Sequence, residues 1–267
     1  MITDKTYELL KSHLGQKLDK LYISDVVIGM FLAAVQLNDH SYGVASTIDP
    51  EEVFCPKKNR DYGEFTPTKI KGKKVSDLFA TIKNSNVIST LRIAVLNALS
   101  SKILESSDYK VYPNTDPYDL LDLSQPKTVT IVGAFQSYIK KFSGTHHRLH
   151  VLELDENALN ADQKQYFVPA ADYRKVLPGS DIVIITGLTI VNNTIGNLLD
   201  AISGETKVIV TGPSSSMIPD ILFENKVNYI GAVKVTDGNK LFQVAGQGGH
   251  GYHLFNYCAE KICIVNE

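Results

Sequence analysis

Read by its apolar and polar positions, the chain changes rhythm near its middle. From Thr6 to Leu21, leucines at positions 9, 10, 14, 18 and 21 recur at helical spacing and predict an amphipathic helix. Three short apolar runs follow, Val26–Ile28, Phe31–Leu37 and Tyr42–Ser46, parted by Gly29 and by Asn38-Asp39. They predict a small antiparallel meander. Residues 47–74 are rich in proline, lysine, aspartate and glycine and predict a long loop, a length often tied to function. Ser76–Ile82 and Val87–Leu104 predict helices, the second with Ile88, Leu91, Val95 and Ala98 on one face and Ser85 or Asn86 as its N-cap. Arg92 and Asn97 interrupt that helix. A mid-helix asparagine is mildly unfavourable, so Asn97 reads either as facing a polar cleft between domains or as making a hydrogen bond in the core.

Polar and turn-forming residues from Ser106 to Pro117 end this regime, which divides the chain into an α+β domain at 1–110 and an α/β domain at 111–267. From Lys127 onward continuous apolar runs alternate with helical segments: Thr128–Val132, Leu149–Leu154, Asp181–Thr186, Lys207–Thr211 and Tyr229–Val235. Strands apolar on both faces need helices on both sides, so the fold class is α/β with a doubly wound, mostly parallel sheet.

Charge and cysteine usage narrow the partners. With 27 basic and 29 acidic residues the chain has no basic stripe for nucleic acid. No basic amphipathic segment or unbroken apolar span points to a membrane, and residues 1–21 lack the apolar run of a signal peptide. Cys55, Cys258 and Cys263 have no CxxC spacing, which fits free thiols in a reducing cytoplasm.

In an open α/β sheet, ligands settle outside the carboxyl ends of the strands. The residues at those ends are Gly133-Ala134-Phe135, Glu153 with Asp155, Thr186 to Thr194, and Thr211 to Ser216. Gly133 is a lone glycine, short of a dinucleotide fingerprint, and a tight turn also explains it. Glu153 lies about 20 residues further on, the separation of a ribose-binding acid, though a solvated acidic loop reads equally well. Thr189, Asn192, Asn193 and Thr194 exceed what one helix cap needs and are candidate ligand contacts, as is Ser214 with its neighbours. His146, His147 and His150 form an HHxxH set that reads as a solvated turn before it reads as a metal site. His250 and His253, in a glycine-rich loop near the same sheet edge, are the candidate metal ligands or proton shuttles.

Taken together, these strings resemble a family of heavy-metal chelation proteins. The matching pieces are Ile28-Gly29, Ala34-Val35, Gly43-Val44-Ala45, Ile93 to Ala98, Ile131-Val132-Gly133, Thr186 to Thr194, and Gly212-Pro213-Ser214, in the family's order. The resemblance implies an enolase-N-terminal-like domain followed by a Rossmann-like domain, with a cleft between them as the site. Carried over by position, it implies that Asn97, Gly133, Thr186, Gly187, Thr189, Asn192, Asn193, Thr194, Gly212, Pro213 and Ser214 line or shape that cleft. The chain departs from the family pattern at Leu188, where threonine is expected, and at Asn193, where glycine is expected.

The leading expectation is a metal-associated protein that binds a transition metal as a complex, or a chelating small molecule, because hydroxyls and amides outnumber carboxylates and thiols at the site. The alternative is an enzyme of transferase type that uses S-adenosylmethionine or a nucleotide in the same cleft, with Glu153 on the ribose. A third reading is a scaffold with a vestigial pocket. No Ser/His/Asp signature, P-loop or HExxH string supports a hydrolase or kinase.

Overall fold

A computed structural model of the chain describes residues 1–48 and 61–266. Part of the expected 47–74 loop, and Cys55 with it, lies outside the described residues. The N-terminal part comprises helix α1 (Ile2–Leu14), strands β1 (Ile23–Ile28), β2 (Leu32–Leu37) and β3 (Tyr42–Ser46), and helices α2 (Val75–Ala80) and α3 (Asn86–Ser106). The remainder runs β4 (Lys110–Pro113), β5 (Thr128–Val132), α4 (Gln136–Phe142), β6 (Arg148–Glu153), β7 (Phe167–Pro169), α5 (Tyr173–Val176), β8 (Ile182–Thr186), α6 (Leu188–Val191), α7 (Ile195–Asp200), β9 (Lys207–Thr211), α8 (Asp220–Glu224), β10 (Tyr229–Val235), α9 (Gly238–Gly246), α10 (Gly251–Tyr257) and β11 (Ala259–Val265).

Two sheets result. The small one is the expected antiparallel meander β1-β2-β3; the large one has eight strands in the order β4-β11-β10-β9-β8-β5-β6-β7. Its members from β10 to β7 are mutually parallel, while β11 runs antiparallel to both β10 and β4. The sequence reading missed β4, β7 and β11. The first two are outer strands of three or four residues that end in Pro113 and Pro169, a composition that terminates pairing at an edge. The third opens Ala259-Glu260-Lys261, and those charges hide its apolar half. The first helix ends earlier than its leucine spacing predicts. Gly15 takes a φ of 52° and turns the chain into a 3-10 segment, Gly15–Lys20, which still buries Leu18.

Alternate residues of the large sheet feed two apolar layers, as a pleat demands. Ile182, Ile184 and Ile209 meet Tyr138, Ile139 and Phe142 of α4 on one face. Val183, Ile185, Val208 and Val210 on the other face join a core that continues through α3 to α1 and the meander. α3 has the length and apolarity to cross a membrane, but here it is a core helix with Leu91, Ala94, Leu96 and Ala98 fully buried. Gly43 makes that packing feasible, because a side chain there would overlap the Ala94 carbonyl. The opposite face of the meander is covered from the C-terminal half, where Leu241, Ala245 and Leu254 of α9 and α10 pack on Leu32, Ala34 and Val44. Gly29 has the matching role, since a side chain there would strike the Ala245 carbonyl. The meander is thus clamped between α3 and the last two helices.

Candidate ligand site where the strand order reverses

The chain builds β5, β6 and β7 outward in one direction, returns to place β8 on the other side of β5, and continues to β9 and β10. The carboxyl ends of β5 and β8 therefore flank the point of reversal, where open α/β sheets form their ligand crevice. Gly133 closes β5 with a φ of 97°, a conformation for which glycine carries no steric penalty. A Cβ at Gly133 would lie 3.0 Å from Thr186 Cγ2, so the two strand ends meet across this point.

Each end is tied down locally. The Ala134 N–H donates to Glu153 Oε2 at 2.7 Å, and the Leu154 N–H donates to Glu153 Oε1 at 2.6 Å. Both oxygens of Glu153 thus hold the β5 and β6 turns, and a ribose would have to share them. Thr189 is buried and its hydroxyl donates to the Thr186 carbonyl at 2.7 Å. The Gly187 N–H donates to the Thr211 carbonyl at 2.7 Å, which joins the β8 turn to the β9 turn.

The β9 turn is a weld between the two sheets. Gly212 has a φ of 127°, and Ser214, Ser215 and Ser216 behind it are buried. The Ser46 N–H of β3 donates to Ser214 Oγ at 2.8 Å, and the Val233 N–H donates to Ser216 Oγ at 2.9 Å. Ser215 Oγ donates to the Gly212 and Gly231 carbonyls at 2.7 and 2.8 Å. Asn97, only 2% exposed, donates from Nδ2 to the Val44 carbonyl at 2.8 Å and the Pro213 carbonyl at 3.1 Å. Its Oδ1 is buried without a partner among the described residues. Of the two sequence readings of Asn97, these contacts match the hydrogen bond in the core.

Asn97, Gly133, Thr186, Gly187, Gly212, Pro213 and Ser214 thus form a connected set. Asn192, Asn193 and Thr194 come after the single turn of α6 and are exposed. Asn192 Oδ1 accepts the Thr194 hydroxyl at 2.7 Å and its N–H at 3.2 Å, an Asx turn. Asn193 has a φ of 60°, which explains why glycine suits this position, and asparagine is the side chain that tolerates it best.

His250 stacks on Phe31 with ring centroids 3.8 Å apart, and a Cβ at the next residue, Gly251, would lie 3.3 Å from Pro213 Cγ. The start of α10 therefore borders the β9 turn. His253 Nδ1 accepts the His250 N–H at 2.9 Å, which puts the proton of the neutral ring on Nε2 and makes that atom a donor, not a metal-binding lone pair. The HHxxH set stands at the start of β6, the end opposite Glu153. His147 Nδ1 accepts the Lys127 N–H at 3.2 Å, and His150 Nδ1 is buried without a partner among the described residues. Burial lowers the pKa of both rings, with help from His146 and Lys127 at His147 and from Arg148 at His150.

One network behind the rim escaped the sequence reading. Tyr138 of α4 is buried, and its hydroxyl donates to Asp116 Oδ1 at 2.7 Å. Burial first, then the Asp116 charge, pushes that phenol far above its ordinary pKa, while a hydrogen bond with Thr211 at the end of β9 acts the other way. Burial of Asp116 opposes its ionisation. The Tyr138 hydroxyl, the Tyr118 N–H, Lys141 and Lys261 together outweigh burial and hold it below the usual carboxylate range. The only trace in the sequence was Tyr138 and Lys141 at helical spacing.

Sequence profiles described as "Putative heavy-metal chelation" match residues 116–264 and 11–100. The chain belongs to this family. Two solved members of the DUF364 family, both of unknown function, have the same architecture. One from Pyrococcus horikoshii superposes with a TM-score of 0.76 at 18% identity, covering 98% of this chain and 99% of its own. One from Desulfitobacterium hafniense gives 0.71 at 17% identity, with the same coverage of 98% and 99%. At these identities the likeness speaks to the fold. No curated protein matches the chain.

The family's description invites a test of the donor set. Heavy-metal ions take thiolate, imidazole or carboxylate ligands in convergent groups. Among the described residues, no group of three or more His, Cys, Asp or Glu is placed to hold an ion. Burial pushes the Cys258 thiol up to about 11 and the Cys263 thiol up to about 12, so both are protonated at neutral pH. The described residues do not fit a bare heavy-metal ion.

Proposed function

We propose that this member of the heavy-metal chelation family binds its metal as a complex with a small organic chelator, at the edge where β5 and β8 part. The observation that carries this reading is the chemistry of the rim. Glycine backbone and the half-exposed Thr186 meet there, and Glu153, the nearby carboxylate, is already engaged by two backbone N–H groups. Such a lining recognises the oxygens and N–H groups of a chelator and leaves coordination of the metal to the chelator itself.

Calorimetric titration of the full chain with nickel, cobalt, iron and molybdate, each free and as its citrate complex, tests the proposal. The complexes bind at least about tenfold tighter than the free ions, and Thr186→Val, which removes the rim hydroxyl, weakens that binding. Failure of ions and complexes alike overturns the reading. So does a thermal shift confined to S-adenosylmethionine, NAD or ATP, which would replace the complex with a nucleotide.

A further inference from the structure

α9 and α10 border an open surface groove of about 320 Å³ lined by Val244 and the exposed Lys240, Gln243, Gln247 and Tyr257. Its size lies at the lower end of ligand pockets. The four α9-side positions recur at helical spacing and form one stripe, opposite Leu241 and Ala245, which face the meander. Lys240, Gln243 and Gln247 belong neither to the meander core nor to the strand-end rim, while half-buried Val244 packs against that core. A positive φ of 75° at Gly248 turns the chain back toward α9, and the Gly249 N–H donates to the Val244 carbonyl at 2.8 Å.

The lining has one sign of charge. Lys240 is its one ionisable amine and no carboxylate lines it. The nearest acid, Asp237, stands 3.9 Å from the ammonium, at the limit of an ion pair, and its Oδ1 accepts the Lys240 N–H as the cap of α9. The carboxamides of Gln243 and Gln247 make no hydrogen bond to protein among the described residues, so their N–H groups are available. Tyr257 is 57% exposed, and the His253 ring lies nearly parallel to it with centroids 6.4 Å apart. His253 carries its donor on Nε2, for the reason given above.

From this arrangement we infer a second small-molecule site, for a metal-free hydroxycarboxylate. Lys240 takes the carboxylate, the two carboxamides take its hydroxyl and remaining oxygens, and the carbon skeleton lies against Val244 and the Tyr257 ring. The charge contact is solvent-exposed and therefore modest, which sets the affinity near a Kd of about 1 mM.

The test uses the full chain, isotope-labelled, in metal-stripped buffer, titrated with malate and with its neutral diamide while amide resonances are followed. Malate shifts the Lys240, Gln243 and Gln247 signals and the diamide does not. Lys240→Gln weakens malate by at least about fivefold, whereas Lys240→Arg retains it. Equal binding by Lys240→Gln overturns the inference, as does equal binding of the diamide. Shifts confined to Gly133 and Thr186 also overturn it and assign the carboxylate to the strand-end rim. Thr186→Val leaves malate binding at α9 intact, so failure here is distinguishable from failure of the metal-complex reading.

Discussion

The turns that close β8 and β9 look alike on paper: each ends a buried strand with threonine and glycine and carries several hydroxyl or amide residues soon after. Folded, they diverge. The β9 turn spends its polarity internally, with Ser214 on β3, Ser215 on two carbonyls and Ser216 on β10, and it joins the two sheets. The β8 turn keeps Thr186 half-exposed against Gly133 and carries Asn192 to Thr194 out to solvent. The difference teaches that a hydroxyl-rich strand end is a ligand rim only where burial has not already assigned its hydrogen bonds.

Variants in the weld and in the rim should separate stability from binding. The largest loss is expected for Asn97→Leu, which strands the Val44 and Pro213 carbonyls in the seam and costs about 2–4 kcal/mol in a urea melt. Ser214→Ala removes the acceptor for the Ser46 N–H and costs about 1–2 kcal/mol by the same measurement. Asn193→Ala places an ordinary side chain at a φ of 60° and costs about 1 kcal/mol, whereas Asn193→Gly stays near the parent. Thr186→Val, in the rim, moves stability by no more than about 0.5 kcal/mol yet weakens binding of the metal complex. A rim variant as damaging as Asn97→Leu would erase the distinction.

The Asp116 network adds a pH signature. Its folded pKa lies below the unfolded value. The carboxylate therefore stabilises the fold above about pH 4, and the stabilisation is lost as the pH falls through the lower folded value. Asp116→Asn should flatten the acid limb of the stability profile and leave the neutral plateau parallel to the parent.

Much of this architecture was legible in the residues. The continuous apolar runs from Thr128 to Val235 marked five strands of the large sheet because burial on both faces leaves no polar alternation to confuse. β4, β7 and β11 were not legible, since the two outer strands are short and proline-ended and β11 opens on charged residues. At the site, Gly133 and Thr186 were visible as strand ends, but their contact depends on the reversal of strand order, which is a property of topology. Glu153 had the spacing of a ribose ligand; its engagement by two backbone N–H groups could be learned only from the folded chain. The placement of HHxxH was legible, because the set stands at the entry to the second apolar strand and so at the end opposite the rim.

Anomalous diffraction from crystals of the chain grown with a nickel–citrate complex would test the central claim most directly. The account predicts a metal peak beside Gly133 and Thr186, with density for the chelator between the metal and the protein. A peak held by His146 and His147, or by protein side chains with no chelator around it, would contradict it.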